Sequence, residues 1–300
     1  MDIYRSLCDI AKEENVAVNE PMSRHTSFRT GGPADYFVTP DNAKALVGLL
    51  RFCDEEKISY HIHGNGSNVL FSDEGYRGAI ISIGKNMSDI DIEGDEITAG
   101  SGISLSALSS AAAGKGLAGL EFASGIPGTL GGAVTMNAGA YGGEMKDVLV
   151  SVDVCSRDGH ITTLSKEELE LGYRTSIIQK KDYIVLSAKI KLNKGNEEDI
   201  RALMRELNNR RRDKQPLEYG SAGSTFKRPE GHFAGKLIEE CGLKGYRVGD
   251  AMVSEKHAGF VVNVGEASSE DVLKVIRHVQ DEVKKVHNIS LETEVKLIGF

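Results

Sequence analysis

The densest run of glycine in the chain lies between Gly114 and Gly143 and holds ten of the 34 glycines. Apolar side chains such as Leu117, Phe122 and Ile126 interrupt it, so it has the hydrophobic content that disordered segments lack. Glycine has no Cβ and adopts positive φ, which lets the backbone approach a ligand closely. The run therefore predicts an ordered backbone that wraps tightly around a bound molecule.

A second glycine-rich turn, HGNGSNVLF at residues 63–71, follows a predicted strand. Its backbone N–H groups would suit a diphosphate. It is neither a GxxxxGK[ST] loop, since no lysine follows, nor a GxGxxG turn that opens a helix. Alone it favours a plain tight turn. Together with SGIPGTLGGA at 124–133, it indicates a large nucleotide cofactor that lies across both segments.

Apolar periodicity predicts an α+β fold, because helices and strands do not alternate as they do in a regular βαβ series. Helices are predicted at residues 41–57 with Asp41 as N-cap, 104–116 with Ser104 as N-cap, 198–213, 234–241 and 269–287. Strands are predicted at 36–39, 60–63, 79–83, 90–93, 96–99, 148–154, 184–192, 259–264 and 294–300. The segment 214–224 has loop composition and predicts a domain boundary.

Length and charge limit the classes of function. Three hundred residues exceed what one hydrophobic core usually spans, which predicts two or three domains. A formal net charge of −8 argues against a nucleic-acid partner, because phosphate neutralisation needs a basic face. A small anion needs only a local cluster, and one is found at Arg210, Arg211, Arg212 and Lys214, with Lys227 and Arg228 later in the chain. From charge alone, the favoured interpretation is that the arginines lie at the C-terminus of a helix and complement the helix dipole.

The sequence predicts neither a membrane partner nor a metal. No stretch approaches the ~18 apolar residues of a membrane span, and residues 1–18 lack the pattern of a signal peptide. We therefore expect a cytoplasmic protein. The four cysteines are far apart and without a CxxC pair, which is typical of reduced thiols rather than disulfides or zinc ligands: Cys8, Cys53, Cys155 and Cys241.

Six motifs resemble, in family order and over nearly the whole chain, those of the UDP-N-acetylenolpyruvoylglucosamine reductases (MurB), in their short type without a tyrosine-bearing insertion after GYR. They are GNGSNVLF at 64–71, IPGTLGGAVTMNAGAYG at 126–142, GYRTS at 172–176, GSTFKRP at 223–229, GHFAGKLIEECGLKG at 231–245 and LETEVKLIG at 291–299. The resemblance implies an FAD-binding PCMH (vanillyl-alcohol-oxidase) type fold with a smaller α+β substrate-binding domain. The implied division is 1–72 plus 291–300 and 73–212 for two FAD-binding subdomains, and 213–290 for the substrate-binding domain.

The same resemblance implies a UDP-N-acetylmuramate dehydrogenase that binds FAD non-covalently and consumes NADPH. Its substrate would be UDP-N-acetylglucosamine-enolpyruvate, without an obligate protein partner. Ser224 would be the proton donor, while Arg174 and Glu294 would hold the substrate carboxylate. From spacing alone these are a turn serine, a surface arginine and a solvated glutamate. The implied cofactor contacts are Gly64, Asn65, Gly66, Ser67, Asn68, Ile126, Pro127, Gly128, Thr129, Gly131, Gly132, Asn137, Gly139, Ala140 and Tyr141.

The implied substrate contacts are Lys214, Lys227 and Arg228, and Tyr246 and Arg247 are candidates to cover the UDP where the insertion is absent. Two alternatives remain open. One is another FAD-dependent oxidoreductase of the same fold, acting on an alcohol or a sugar. The other is a non-redox protein that binds nucleotide sugars, which would be colourless because it would carry no flavin.

Overall fold

The computed structural model describes residues 2–300, and the packing of the chain divides it into two compact units. Unit 1 comprises residues 2–18, Tyr36–Asn65 and Gly78–Arg211, and unit 2 comprises Asn19–Asp35, Gly66–Arg77 and Arg212–Phe300. Both units are therefore built from three separate stretches of chain. The predicted boundary after residue 212 lies one residue from the boundary at Arg211 and Arg212, and the predicted division into three parts at residues 72, 212 and 290 stays a prediction.

Seven helices begin within unit 1. They are α1 (Ile3–Ala11), α2 (Ala43–Glu55), α3 (Leu105–Ala113), α4 (Leu130–Thr135), α5 (Met145–Val148), α6 (Ile177–Lys180) and α7 (Glu197–Lys214). Ser104 caps α3 as predicted, with its hydroxyl accepting from the Ala107 amide. The predicted cap Asp41 is wrong, because Asn42 caps α2. Asp41 instead pairs with Lys12 at 2.5 Å and accepts from Asn15 Nδ2 at 2.9 Å.

The first two-thirds of the chain contains fourteen strands among the described residues, nine of which form two main sheets. They are β1 (Val16–Pro21), β2 (Pro33–Val38), β3 (Tyr60–His63), β4 (Val69–Phe71), β5 (Tyr76–Ser82), β6 (Ile90–Glu93), β7 (Glu96–Gly100), β8 (Leu117–Ala118), β9 (Gly139–Ala140), β10 (Gly143–Glu144), β11 (Leu149–Cys155), β12 (Ile161–Ser165), β13 (Ile184–Lys191) and β14 (Asn193–Lys194). One sheet has the order β1-β2-β5-β3, and the other has the order β12-β11-β13-β7-β6. The second is antiparallel throughout, and one face of it packs on α4 in a core that includes Ile97, Val152 and Ile190.

Unit 2 is built around one long helix. Its elements are β4, α8 (Ala234–Glu240), β15 (Arg247–Val248), β16 (Ala251–Val253), β17 (Val261–Asn263), α9 (Ser269–His287) and β18 (Lys296–Ile298). Helix α9 has the predicted bounds and buries Val272, Val275, Val279 and Val283 in the core that also includes Phe28 and Leu70. Strand β18 pairs in parallel with β4, with Lys296 opposite Val69. It is shorter than the predicted strand at 294–300, so Glu294 precedes it.

No helix in the described part of the chain is both long and apolar enough to cross a membrane.

Candidate active site

Arg174 lies in a tight turn of unit 1 whose two ends bond to each other. The Gly172 amide donates to Thr175 O at 3.1 Å, and the Thr175 amide donates to Gly172 O at 3.4 Å. Arg174 has a φ of +54°, a left-handed conformation that few residues other than glycine adopt. Such a conformation persists only where the surroundings hold it, so the contacts around this turn decide where the guanidinium lies.

Asn137 is the first of these contacts. Its side chain is buried at 1 % exposure, and Nδ2 donates to Gly172 O at 3.0 Å and to Glu144 Oε2 at 2.8 Å. Its Oδ1 accepts the Lys146 amide at 2.9 Å. Lys146 in turn donates to the Glu144 carboxylate and, with Asn137 and the charge of Arg174, lowers the pKa of that carboxyl. Both amide hydrogens of Asn137 are therefore used within the protein, and its predicted cofactor contact has only Oδ1 left to make it.

Two further side chains anchor the turn to the carbonyl of Thr135. Ser176 is fully buried, and its hydroxyl donates to Thr135 O at 2.7 Å. Gln179 Nε2 donates to the same oxygen at 2.8 Å and to Arg174 O at 3.2 Å. The turn is thus closed by its own backbone bonds and fixed to a neighbouring loop by side-chain hydrogen bonds.

The two glycine-rich segments meet within unit 1, as the sequence predicts. A Cβ at Gly64 would lie 2.7 Å from Thr129 Oγ1, and that hydroxyl caps α4 by accepting the Gly132 amide. A Cβ at Gly131 would lie 3.0 Å from Ser101 Cβ. Glycine at 64 therefore lets the two segments approach each other, and glycine at 131 lets the second segment approach Ser101.

The two segments differ in which amides remain available to a ligand. The amides of Gly128, Leu130 and Gly131 donate to backbone carbonyls at 2.9, 2.8 and 2.8 Å. By contrast, the described residues provide no acceptor for the amides of residues 64–67. Gly66 has a φ of +61°, and a Cβ there would lie 2.0 Å from a backbone oxygen. The donors suited to a diphosphate therefore come from the first segment.

The predicted contacts at 139–141 form a hairpin. Gly139 and Ala140 pair with Glu144 and Gly143, and Tyr141 and Gly142 turn the chain with φ of +53° and +90°. Two successive residues with positive φ are typical of a type I′ turn. The turn leaves the Tyr141 ring 44 % exposed.

Sequence reasoning missed the part that Arg211 plays beside the glycine run. A Cβ at Gly125 would lie 2.3 Å from Asn208 Oδ1 and 3.3 Å from Arg211 Cδ, so α7 packs directly on the glycine backbone. Arg211 is half-buried, and burial lowers the pKa of its guanidinium. Across residues 2–300 it has no carboxylate partner, whereas its exposed neighbour Arg210 pairs with Glu206. A half-buried cation without a counter-ion favours an anionic ligand.

In unit 2, backbone bonds bring Ser224 and Glu294 together. The Glu294 amide donates to Thr225 O at 2.9 Å, and Thr225 follows Ser224 directly. The next residue, Phe226, forms an antiparallel bridge with Thr293. Thr225 is fully buried, and its hydroxyl accepts the Val261 amide at 3.0 Å. Ser224 itself is exposed, so its hydroxyl faces outward from a rigid base.

The end of the first glycine turn adjoins this pair. Asn68 Nδ2 donates to Glu294 O at 3.1 Å, and Asn68 O accepts the Lys296 amide at 3.0 Å. Residues 66–68 therefore belong with Ser224 and Glu294 in unit 2, while Gly64, Asn65 and Arg174 belong to unit 1.

The candidate UDP contacts in unit 2 are mostly engaged by other side chains. Lys227 pairs with Glu292 at 3.1 Å, and the Arg228 guanidinium lies 4.6 Å from the centroid of the Phe233 ring. Lys214 is exposed at the end of α7. The candidates to cover the UDP also have partners: Tyr246 stacks on His278 at 3.9 Å, and Arg247 pairs with Asp250.

Two family sequence models match the chain. One is described as FAD binding domain and matches residues 34–165, and the other is described as UDP-N-acetylenolpyruvoylglucosamine reductase, C-terminal domain, and matches residues 215–298. The reductase of Lachnoclostridium phytofermentans is 52 % identical over 301 residues, covering 99 % of this chain and 97 % of that protein. This chain belongs to the UDP-N-acetylenolpyruvoylglucosamine reductase family.

Two further members of the reductase family are similar to this chain over nearly its whole length. The reductase of Clostridioides difficile is 52 % identical over 99 % of this chain and 98 % of its own length. The crystal structure of the reductase (MurB) from Thermus caldophilus has a TM-score of 0.81 and 38 % identity, covering 94 % of this chain and 98 % of that one. The predicted family is thus confirmed, and so is the predicted α+β fold with an FAD-binding domain of the PCMH type.

The residues present fit the dinucleotide that the reductase family's FAD-binding domain implies. In unit 1, the amides of Gly64 and Asn65 have no acceptor within the described chain. Arg211 supplies a half-buried positive charge at the second segment. In the same unit, the Ser101 hydroxyl is buried at 1 % exposure and has no hydrogen-bond partner among the described residues. Buried polar atoms are usually satisfied, so the three features together favour an anionic, polar ligand.

Proposed function

We propose that this chain reduces UDP-N-acetylglucosamine-enolpyruvate to UDP-N-acetylmuramate, as a step of peptidoglycan precursor synthesis in the cytoplasm, with FAD as cofactor and NADPH as reductant. The observation that supports it most is the ladder that sets the exposed Ser224 beside Glu294, in a chain that is 52 % identical to named reductases over its whole length.

The chemistry requires a hydride, a proton and a site for negative charge. When bound, FAD would supply a hydride, drawn from NADPH, to the terminal carbon of the enolpyruvyl double bond. The electron pair of that bond then moves to the carbon beside the carboxylate, and Ser224 donates its hydroxyl proton there. Arg174 forms a charge-assisted contact with the carboxylate, where the negative charge develops, and Glu294 supplies a second polar contact to the same group.

The remaining predicted residues would bind rather than react. The amides of 64–67 and the Arg211 guanidinium would hold the diphosphate of FAD, because both supply donors without partners in the described structure. Lys214, Lys227 and Arg228 would meet the diphosphate of the UDP. The reductase and an alcohol or sugar oxidase of the same fold differ in one respect: only the reductase consumes NADPH in response to the enolpyruvyl substrate.

The test separates the two half-reactions in the variant Ser224→Ala. We expect NADPH to reduce bound FAD at a rate within about twofold of wild type, because Ser224 takes no part in that step. Reoxidation by the enolpyruvyl substrate should fall by about 10²–10⁴-fold, the usual contribution of a general acid. Rapid-mixing absorbance of the flavin measures both rates.

Ser221→Ala is the matched control. Ser221 lies in the same loop, and its bond to Ser27 O is made by the backbone amide, so both half-reactions should be unchanged. Normal reoxidation in Ser224→Ala would remove Ser224 from the mechanism. A wild-type protein that oxidises no NADPH with the enolpyruvyl substrate would refute the proposed function itself.

A further inference from the structure

We propose that Gln179 is a positioning residue that sets the direction of the Arg174 guanidinium and thereby the affinity for the substrate carboxylate. This inference rests on the proposed function, in which Arg174 contacts that carboxylate. Gln179 does not touch substrate; it acts through the backbone of Arg174.

The geometry that carries the inference is a forked hydrogen bond. Gln179 Nε2 donates one hydrogen to Arg174 O at 3.2 Å and the other to Thr135 O at 2.8 Å. The Arg174 carbonyl belongs to the peptide plane that follows its Cα, so a donor on that oxygen limits rotation about ψ of Arg174. The Cα–Cβ bond of Arg174 is thereby oriented relative to the loop that contains Thr135.

The backbone of Gln179 is held firmly enough to fix the position of its side-chain amide. Gln179 lies on α6, and the two residues before it, Ile177 and Ile178, are buried in the main core of unit 1. Buried side chains in a packed core occupy single rotamers, so the Gln179 Cα has a fixed position. The half-buried side-chain amide of Gln179 can therefore hold the left-handed Arg174 in place.

The other anchors of the turn act elsewhere. Asn137 bonds Gly172 O, before the left-handed residue, and Ser176 bonds Thr135 O through its own hydroxyl. Of these three side chains, Gln179 is the one bonded to the Arg174 carbonyl. Loss of Gln179 should therefore leave the turn folded but allow rotation about ψ of Arg174, whereas loss of Asn137 should loosen the whole turn.

The effect on function follows from how arginine binds a carboxylate. A guanidinium–carboxylate pair has a fixed, often bidentate geometry, and a displacement of about 1 Å at a reacting site can lower the rate by 10²-fold. A substrate group that does not meet Arg174 should be unaffected. The predicted signature is therefore weaker binding of the enolpyruvyl substrate, with unchanged binding of UDP-N-acetylglucosamine, which lacks the carboxylate.

The experiment compares Gln179→Met, which keeps the length of the side chain without a donor, with Gln179→Lys, which keeps a donor. Dissociation constants for both UDP-sugars are measured on the FAD-loaded protein by calorimetry, together with both half-reaction rates. In Gln179→Met we expect about a tenfold weaker affinity for the enolpyruvyl substrate, reoxidation slowed by about 10-fold to 10²-fold, and normal reduction by NADPH. Gln179→Lys should recover most of the loss.

Asn15→Leu is the matched control for stability. Asn15 Nδ2 also donates two hydrogen bonds, to Ala11 O at 2.8 Å and to Asp41 at 2.9 Å, in a part of unit 1 away from the Arg174 turn. The Asn15→Leu variant should lower the melting temperature about as much as Gln179→Met does, while leaving the affinities for both UDP-sugars unchanged. Equal loss of affinity for the two UDP-sugars in Gln179→Met would overturn the inference, as would full activity in that variant.

Arg174→Ala separates this inference from the proposed function. If Arg174→Ala shows the carboxylate-specific loss and Gln179→Met does not, the positioning role is wrong and the proposed function stands. If Arg174→Ala binds the two UDP-sugars as wild type does, the role of Arg174 in the proposed function is wrong.

Discussion

The turn that carries Arg174 and the ladder that carries Ser224 and Glu294 are held by different kinds of bond. In unit 1, the side chains of Asn137, Ser176 and Gln179 hold the turn through backbone carbonyls. In unit 2, main-chain amides hold Glu294 against the residue after Ser224, as in an ordinary sheet. The first arrangement depends on the identity of three side chains, while the second depends on strand register.

This difference predicts which substitutions each region tolerates. A ladder keeps its geometry when a side chain is changed, because the bonds are made by the backbone. The Arg174 turn is closed by two backbone bonds of its own, but its left-handed arginine relies on side chains of the surrounding residues for its attachment to the rest of unit 1. Residues that never touch substrate should therefore affect activity in unit 1 more than in unit 2.

The largest effect should come from breaking the turn of unit 1 at Asn137. Asn137→Ala removes three hydrogen bonds from a buried position. The Lys146 amide then loses its acceptor, and Gly172 O keeps only the 3.4 Å bond from the Thr175 amide. Buried unpaired groups cost about 1–3 kcal/mol each, so the free energy of unfolding should fall by ~2–4 kcal/mol. Denaturant unfolding measures this, and reoxidation of the flavin by the enolpyruvyl substrate should slow as well.

Thr225→Val is the counterpart in unit 2. It removes a buried hydroxyl that accepts the Val261 amide and should cost about 1–2 kcal/mol. Reoxidation should remain within about twofold of wild type, because the Glu294–Thr225 bond is made by the backbone. If Thr225→Val slowed reoxidation as much as Asn137→Ala, the contrast between the two regions would be wrong.

A smaller effect should distinguish the two kinds of donor proposed for FAD: backbone amides at 64–67 and the side chain of Arg211. Arg211→Gln should weaken FAD binding about tenfold, or ~1.4 kcal/mol, because it removes a charge-assisted contact. Riboflavin, which has no diphosphate, should bind as it does to wild type. Fluorescence titration of the apoprotein with each flavin measures both affinities.

Arg210→Gln is the control for this comparison, since Arg210 is exposed and pairs with Glu206. Its affinity for FAD should match that of wild type. An equal loss of riboflavin and FAD affinity in Arg211→Gln would show that the guanidinium acts on the flavin ring or on the fold rather than on the diphosphate.

The smallest effect concerns pH. Lys146 is the main cause of the lowered pKa of Glu144, which also accepts from Asn137. A carboxyl whose pKa is lower in the folded state stabilises the protein above its unfolded pKa, and this contribution is lost as pH falls through the folded value. The melting temperatures of wild type and Glu144→Gln should therefore differ near neutral pH and converge below about pH 4.3. A constant difference down to pH 3 would contradict this.

Much of the fold could be predicted from periodicity. Helix α9 and strands β3 and β6 have the predicted bounds, because each presents a regular apolar pattern. The N-cap of α2 could not be predicted: Asp41 and Asn42 are both residues that cap helices, and only the tertiary contacts of Asp41 with Lys12 and Asn15 decide between them.

The motifs predicted the residues of the candidate site, but they did not predict the residues that hold those side chains in place. The resemblance implies Asn137 as a cofactor contact, which stays a prediction. Sequence reasoning did not indicate that its amide also holds the Arg174 turn, a contact that joins residues 35 positions apart. Arg211 could have been found. It falls on the same helical stripe as Ile200, Met204 and Leu207, and a cation on the apolar face of a helix needs an explanation.

The interleaved course of the chain has a consequence for how the protein folds. The core of unit 2 combines Phe28 and Leu70 with residues of α9, and Asn263 Nδ2 donates to Phe28 O across 235 positions. Contacts this distant in sequence close slowly, because the entropy of a long loop must be lost before they form. During synthesis, residues 19–35 and 66–77 emerge long before residues 212–300, with which they share a core. Their apolar side chains should therefore stay exposed to chaperones and proteases until residues 212–300 have been translated.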